Sequence, residues 1–255
     1  IDFEGDDIGG LFRKLLVPTL LGTLSMSAMT AIDGIIVGQG VGPEGVAAVN
    51  IVVPIYTLMS GIALMVGAGC SVVSSIHLAK QKLKVARLNI TQALVASSLT
   101  ATLICAIILL FPRQIFELLG ASPTLMPHVM SYTLWLMPGF VFEMFSLIGL
   151  FIIRLDGAPR YAMWCNIIPA VLNAILDWVF VFPMDMGVKG AGVATAICMV
   201  LGGVMALGYL LVPRHKLSVV MPKFSLKSLR LSLRNIGYQC RIGVSSLMGE
   251  LSLIS

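Results

Sequence analysis

Six apolar runs, each long enough to cross a bilayer, limit what this chain can fold into. They are Leu15–Val37, Val46–Ile76, Leu88–Phe111, Leu125–Ile153, Ala162–Phe182 and Ala191–Val212, and a seventh begins at Ile242. A helix needs about 20 apolar residues, or ~30 Å, to span the hydrocarbon layer. With no water there, every backbone N–H and C=O must be satisfied within the segment, so helices are expected. The second and fourth runs exceed that length and contain Pro54 and Pro138, which favours tilt or kinking. Only 11% of the 255 residues are charged, against roughly 25% in a soluble domain. The expected fold is an all-α membrane protein, a six-helix transmembrane bundle plus the start of a seventh helix.

Charge placement orients the bundle. Arg13 and Lys14 precede the first run. Lys80, Lys82, Lys84 and Arg87 follow the second, and Arg154 and Arg160 follow the fourth. Arg214, Lys216, Lys223, Lys227, Arg230, Arg234 and Arg241 follow the sixth. Of the 17 Lys and Arg, that leaves Arg113 and Lys189 for the opposite loops. Such asymmetry predicts a cytoplasmic N-terminus. The basic residues occupy short gaps between spans, so the net charge of +5 is a topology signal and no nucleic-acid partner is expected; membrane lipids are.

The expected organisation is a cytoplasmic segment over 1–14, a six-helix lobe over 15–212, a basic connector over 213–241 and the start of the seventh helix over 242–255. In the connector, Leu226, Leu229 and Leu233 alternate at helical spacing with Lys227, Arg230 and Arg234, which predicts an amphipathic helix on the inner leaflet. The final run of about 14 residues is short for a span, so a longer chain is expected. Leu21-Gly22-Thr23-Leu24-Ser25 is echoed by Met248-Gly249-Glu250-Leu251-Ser252 at a constant offset. Six helices separate the two copies, so both run in the same direction, as in a parallel repeat of two six-helix halves.

Four acids fall within the apolar runs: Asp33, Glu143, Asp177 and Glu250. Each costs roughly 2.5–3.5 kcal/mol at the centre of a span, so an idle role is disfavoured. Asp33 lies about 30 Å of helical rise above Arg13, and Asp177 about 26 Å above Arg160. Thr195 lies about 9 Å below Lys189. Asn173 is one turn deeper than Asp177 on the same helix face. These four polar groups are expected at similar depth in the outer half of the bilayer. Their hard oxygens suit Na+, and two carboxylates in a low dielectric also share a proton readily. Glu143 sits near mid-depth as a second proton site or a helix–helix contact. Glu250 belongs to the seventh helix. No cofactor is expected beyond a coupling ion, Na+ or H+.

Enzyme signatures are missing from the sequence. It has no GxxxxGK[ST] loop, no HExxH and no Ser/His/Asp set at a common depth. The five cysteines (Cys70, Cys105, Cys165, Cys198 and Cys240) form no CxxC pair and are read as small packing residues.

Several motifs resemble one family. They are Arg154-Leu-Asp-Gly-Ala-Pro-Arg160, Asn173-Ala-Ile-Leu-Asp177, Gly187-Val-Lys-Gly-Ala-Gly-Val-Ala-Thr195, Asp33-Gly-Ile-Ile-Val-Gly38 and Gly45-Val-Ala-Ala-Val49. Together they resemble the multidrug and toxic compound extrusion (MATE) family, and most nearly its prokaryotic branch with an acid in the first helix. The resemblance implies one lobe of a twelve-helix antiporter in a bacterial inner membrane, with a second six-helix lobe as its partner. It implies export of small-molecule drugs or organic cations against inward Na+ or H+, with Asp33, Asn173, Asp177 and Thr195 as the cation site. Lipid-linked oligosaccharide flippases and polysaccharide exporters share the fold class and are the alternative.

Overall fold

The computed structural model describes residues 8–212, 216–220 and 226–252, with the side chains of Ile8, Leu11 and 226–231 excepted. Residues 1–7 of the expected N-terminal segment lie outside the described residues. So do 213–215 and 221–225 of the expected connector, including Arg214 and Lys223, and 253–255 of the expected seventh span.

Among the described residues, eight helices follow in chain order: α1 (Ile8–Gly40), α2 (Pro43–Ala79), α3 (Leu83–Leu110), α4 (Pro112–Leu118), α5 (Met126–Leu155), α6 (Pro159–Val181), α7 (Gly187–Leu211) and α8 (Leu226–Leu251). Among the described residues there is no strand. Six of the helices (α1, α2, α3, α5, α6 and α7) are long and apolar enough to cross a membrane, in agreement with the six runs. α2 and α5 pass through Pro54 and Pro138 without ending.

Sequence explains where helices stop and start. α5 ends in a Schellman-type cap: the Gly157 N–H bonds Arg154 O and the Ala158 N–H bonds Ile153 O. Gly157 takes a φ of +88°, the left-handed region that glycine enters without a Cβ penalty. Pro159 then opens α6, where its missing N–H has no intrahelical partner to lose. The Asp-Gly-Ala-Pro run at 156–159 is therefore one compact helix-to-helix turn.

α5 is the most enclosed span and α1 the least. Small residues set the spacing of α5 against α7. A Cβ on Gly192 would sit 2.8 Å from the Tyr132 carbonyl oxygen, and one on Gly203 would overlap the Phe142 carbonyl. α1 lies along α6, with Gly22 beside Asn166 and Gly40 against Val181. Leu20, Leu24 and Ile35 on α1 are exposed, as are Leu99 and Leu103 on α3, as expected of side chains that face lipid. Cys70, Cys105, Cys165 and Cys198 are buried and Cys240 partly so; all five are free thiols.

After α7 the chain folds back across the end of the bundle that carries most of the basic residues. Asp156 accepts from the Tyr209 hydroxyl at 2.8 Å and from the Leu217 N–H at 3.0 Å. The Arg87 Nε donates to the Lys216 carbonyl at 2.8 Å, and the Val220 N–H donates to the Thr91 hydroxyl at 3.1 Å.

α8 differs from the expected connector and span in two respects. It is one helix, with no break near residue 242. Over its described part it also turns polar groups inward. The Asn235 Nδ2 donates to Asn89 Oδ1 at 2.6 Å and to Gln92 Oε1 at 2.8 Å, and the Gln92 Nε2 donates to Ser232. Gln239 is fully buried against Gly69 of α2, whereas Leu233 and Tyr238 are exposed. The reason is partner choice. The amides of α3 satisfy Asn235 and Ser232 better than an apolar contact could, so the Leu233 side is turned away. Leu226, Lys227, Leu229 and Arg230 of the expected amphipathic pattern lie outside the described side chains.

Candidate functional site

Three helices bring the sequence-selected polar residues together. Asp33 comes from α1, Asn173 and Asp177 from α6, and Thr195 from α7. Asn173 and Asp177 are wholly buried, Thr195 is 8% exposed, and Asp33 is half-buried. Asp33 and Asp177 are direct neighbours, close enough to form a hydrogen-bonded carboxyl pair when one of them holds a proton. The Asn173 carboxamide reaches toward Cys198 of α7.

These groups are unusual in what they lack. Both carboxylate oxygens of Asp177, both amide atoms of Asn173, the Thr195 hydroxyl and one oxygen of Asp33 are buried without a protein hydrogen-bond partner. A buried polar atom left unpaired costs ~1–3 kcal/mol, more when charged. Five of these six atoms are oxygens able to accept from a donor or face a cation; the sixth, Asn173 Nδ2, can only donate. Asp33, Thr195 and Thr30 open onto a cavity of about 120 Å³ that is also bounded by Met29, Tyr56 and Tyr132.

Tyr132 is a member of this site that sequence reasoning missed. It is 6% exposed, lies on α5, lines the same cavity as Asp33 and Thr195, and stands within electrostatic reach of Asp33 and Asp177. A tyrosine in an apolar run reads as an aromatic core residue. The informative signal was its place opposite Gly192, three residues before Thr195, where the missing Cβ brings α5 and α7 together.

The two other acids gather elsewhere. Glu143 is 8% exposed and its Oε1 accepts from the Tyr56 hydroxyl at 3.5 Å. Glu250 lies over Gly61 of α2 and within electrostatic reach of the same tyrosine. Glu143 and Glu250 thus approach Tyr56 from two helices, separately from the Asp33–Asp177 pair.

Among the described residues, no group of three or more His, Cys, Asp or Glu side chains could hold a metal ion between them. A cation at Asp33–Asp177 would instead use two carboxylates with amide and hydroxyl oxygens, a set that also fits a proton. A family model, MatE, matches residues 18–179.

The chain belongs to the MatE family. Members of that family are transporters and not enzymes. It is 25% identical over 214 residues to the FAD transporter of Shewanella oneidensis, covering 82% of this chain and 47% of that protein. It is 26% identical over 268 residues to the multidrug export protein MepA of Staphylococcus saprophyticus, covering 99% of this chain and 56% of that one. A solved outward-facing multidrug resistance MATE transporter of the MOP superfamily superposes with a TM-score of 0.84 at 26% identity, over 94% of this chain and 52% of that one. A MATE structure in complex with MaD3S gives 0.82 at 25% identity, over 94% and 53%. The chain therefore spans about half the length of the MatE relatives it matches, consistent with one lobe of two.

Proposed function

We propose that this chain is the N-terminal lobe of a cation-coupled multidrug exporter. In this reading Na+ or H+ binds at Asp33, Asn173, Asp177 and Thr195 and drives the outward movement of cationic or amphipathic compounds. The observation that carries it is the pair of adjacent carboxyls on α1 and α6, buried among other unpartnered polar atoms. α1 packs mainly along α6 and only lightly on the rest of the lobe. When the pair is anionic, two like charges in a low dielectric push α1 from α6. When it holds a cation or a proton, one attractive contact replaces that repulsion. Ion occupancy thereby becomes a bias on the position of one helix, the two-state element that alternating access requires.

The electrical part of the driving force is ~2.3 kcal/mol per charge per 100 mV. The basic end of the bundle would face the cytoplasm and the Asp33 chamber the outside, in a bacterial inner membrane. A second six-helix lobe would complete the substrate cleft. Because the chain covers half of its relatives' length, these statements concern the complete protein.

The FAD transporter similarity supports a second reading, export of a flavin dinucleotide. Such a substrate carries a pyrophosphate and calls for Arg or Lys. The described residues that bound the Asp33 chamber include neither, which favours the cationic reading. The flippase alternative calls for the same basic lining.

The test is efflux of ethidium by the complete protein in proteoliposomes under an imposed H+ or Na+ gradient. Asp33→Asn and Asp177→Asn should each abolish ion-driven efflux while leaving membrane insertion intact. Wild-type efflux in both variants would refute the assignment. Flavin dinucleotide transport without ethidium transport would favour the second reading.

A further inference from the structure

The internal space does not end at Asp33. A second cavity, of about 50 Å³, adjoins the first, and Met29, Tyr56 and Thr195 wall both. Its own polar groups are Glu143, Ser146 and Asn166, each 7–8% exposed. Thr195, at the junction, has a buried hydroxyl oxygen with no partner, and Tyr56 donates to Glu143.

Helix geometry gives the direction of this space. Met26, which lines the second cavity, is seven residues before Asp33 on α1. Glu143 is eleven residues past Tyr132 on α5, and Asn166 eleven before Asp177 on α6. The second cavity is therefore displaced by about 10–16 Å of helical rise toward the basic end of the bundle. Pro169, inside α6, also lines it and has no N–H to offer the Cys165 carbonyl one turn earlier.

Size decides what the cavity can hold. A water needs roughly 10–15 Å³ of such space, whereas drug sites run to ~300–1,000 Å³. The cavity takes a few waters and excludes a drug. We infer that Glu143 is a second, inner proton site on the path by which the coupling ion leaves the Asp33–Asp177 pair. This inference rests on the cation-coupled reading above.

The step moves one proton. An O–H bond at the Asp33–Asp177 pair breaks, an O–H bond forms on Glu143, and the pair is left anionic. The Thr195 and Tyr56 hydroxyls, with water between them, span the junction. The groups facing Glu143 are Tyr56 from α2, Cys165 from α6 and Cys198 from α7, with Glu250 of α8 beyond Tyr56. None of these is cationic. A proton is therefore the counter-charge available to Glu143, whereas a fixed Lys or Arg would hold it permanently anionic.

Infrared difference spectroscopy of the complete protein across a pH step tests this, with ethidium efflux measured in parallel. Wild type should show carboxyl bands from two separate sites. Glu143→Gln should remove one, keep the band that Asp33→Asn removes, and slow H+-driven efflux by about a hundredfold, the low end for loss of a positioned proton-transfer group. Wild-type efflux in Glu143→Gln, or no band lost, overturns the inference. Na+ added at constant pH should leave the Glu143 band in place; its loss overturns a proton assignment. Where Glu143→Gln does not fold, Glu143→Asp carries the test, because it should shift the same band, and an unshifted spectrum overturns the inference. Failure of the coupling reading is distinguishable: Asp33→Asn and Asp177→Asn would then transport normally while the Glu143 band persists.

Discussion

Asp156 anchors the returning segment at Leu217, so removing that carboxylate should loosen the segment there. Asp156 accepts from the Tyr209 hydroxyl and from the Leu217 backbone N–H. Leu217 is fully buried and Tyr209 is 8% exposed, so neither donor has ready access to water. A buried donor stripped of its acceptor costs ~1–3 kcal/mol, and bonds to a charged acceptor are worth ~1.5–3 kcal/mol each. Asp156 itself is half-buried and both residues make further contacts, which puts the Asp156→Ala loss near the lower bound, about 2 kcal/mol. Local opening of the 216–220 segment should follow. At 1.4 kcal/mol per factor of ten, amide exchange at Leu217 should speed up by about 30-fold. Val219, bonded to the Leu210 carbonyl, should accelerate less. Hydrogen exchange read by mass spectrometry in nanodiscs measures both. A double-mutant cycle with Tyr209→Phe should give a coupling of about 1 kcal/mol. Unchanged Leu217 exchange in Asp156→Ala, or a cycle that closes to zero, would show that the carboxylate does not hold the segment.

Two packing predictions accompany it. Gly203→Ala should destabilise the lobe by about 1–3 kcal/mol in a detergent unfolding titration, because the new Cβ meets the Phe142 backbone carbonyl; Gly34→Ala, with nothing within 4 Å, is the neutral control, and equal effects would contradict the close α5–α7 approach. Gln239→Met should stabilise by about 1–2 kcal/mol, since both polar atoms of the Gln239 side chain are buried without partners and an apolar side chain of similar length removes that cost; a loss of stability would mean that the amide has a partner in the complete protein.

The spans were legible because hydropathy acts over about 20 residues and outweighs local detail. α1 to α3 and α5 to α7 coincide with the six apolar runs; α1 and α2 extend beyond theirs at both ends, and α3, α6 and α7 begin three to five residues earlier. Those extensions were not legible, since a helix leaving the hydrocarbon continues as long as its backbone groups stay paired, and Ile8–Lys14 or Lys84–Arg87 cost nothing in water. α4 was missed for a related reason: seven residues opened by Pro112 form a single surface turn pair, below the length at which periodicity speaks. α8 went furthest from expectation because the deciding contacts are distant in sequence. Nothing local pairs Asn235 with Asn89 and Gln92.

At the site, acids were easier to find than their neighbours. A carboxylate in an apolar run stands out by its cost alone, which is why Asp33, Asp177, Glu143 and Glu250 all drew notice. Tyr132 and Tyr56 did not, because an aromatic ring is at home in a span and only its hydroxyl needs an explanation. Yet these two tyrosines sort the four acids. Tyr132 stands within electrostatic reach of Asp33 and Asp177, Tyr56 bonds Glu143 and stands near Glu250, and Tyr56 lines both cavities. Counted by charge, the four acids of the apolar runs are equivalent carboxylates. Sorted by their hydroxyl partners, they include a neighbouring pair with unpartnered oxygens and an acid already donated to by a hydroxyl. The division follows from helix packing: Gly192 lets α7 approach α5 at Tyr132, and Gly61 lets α8 approach α2 near Tyr56.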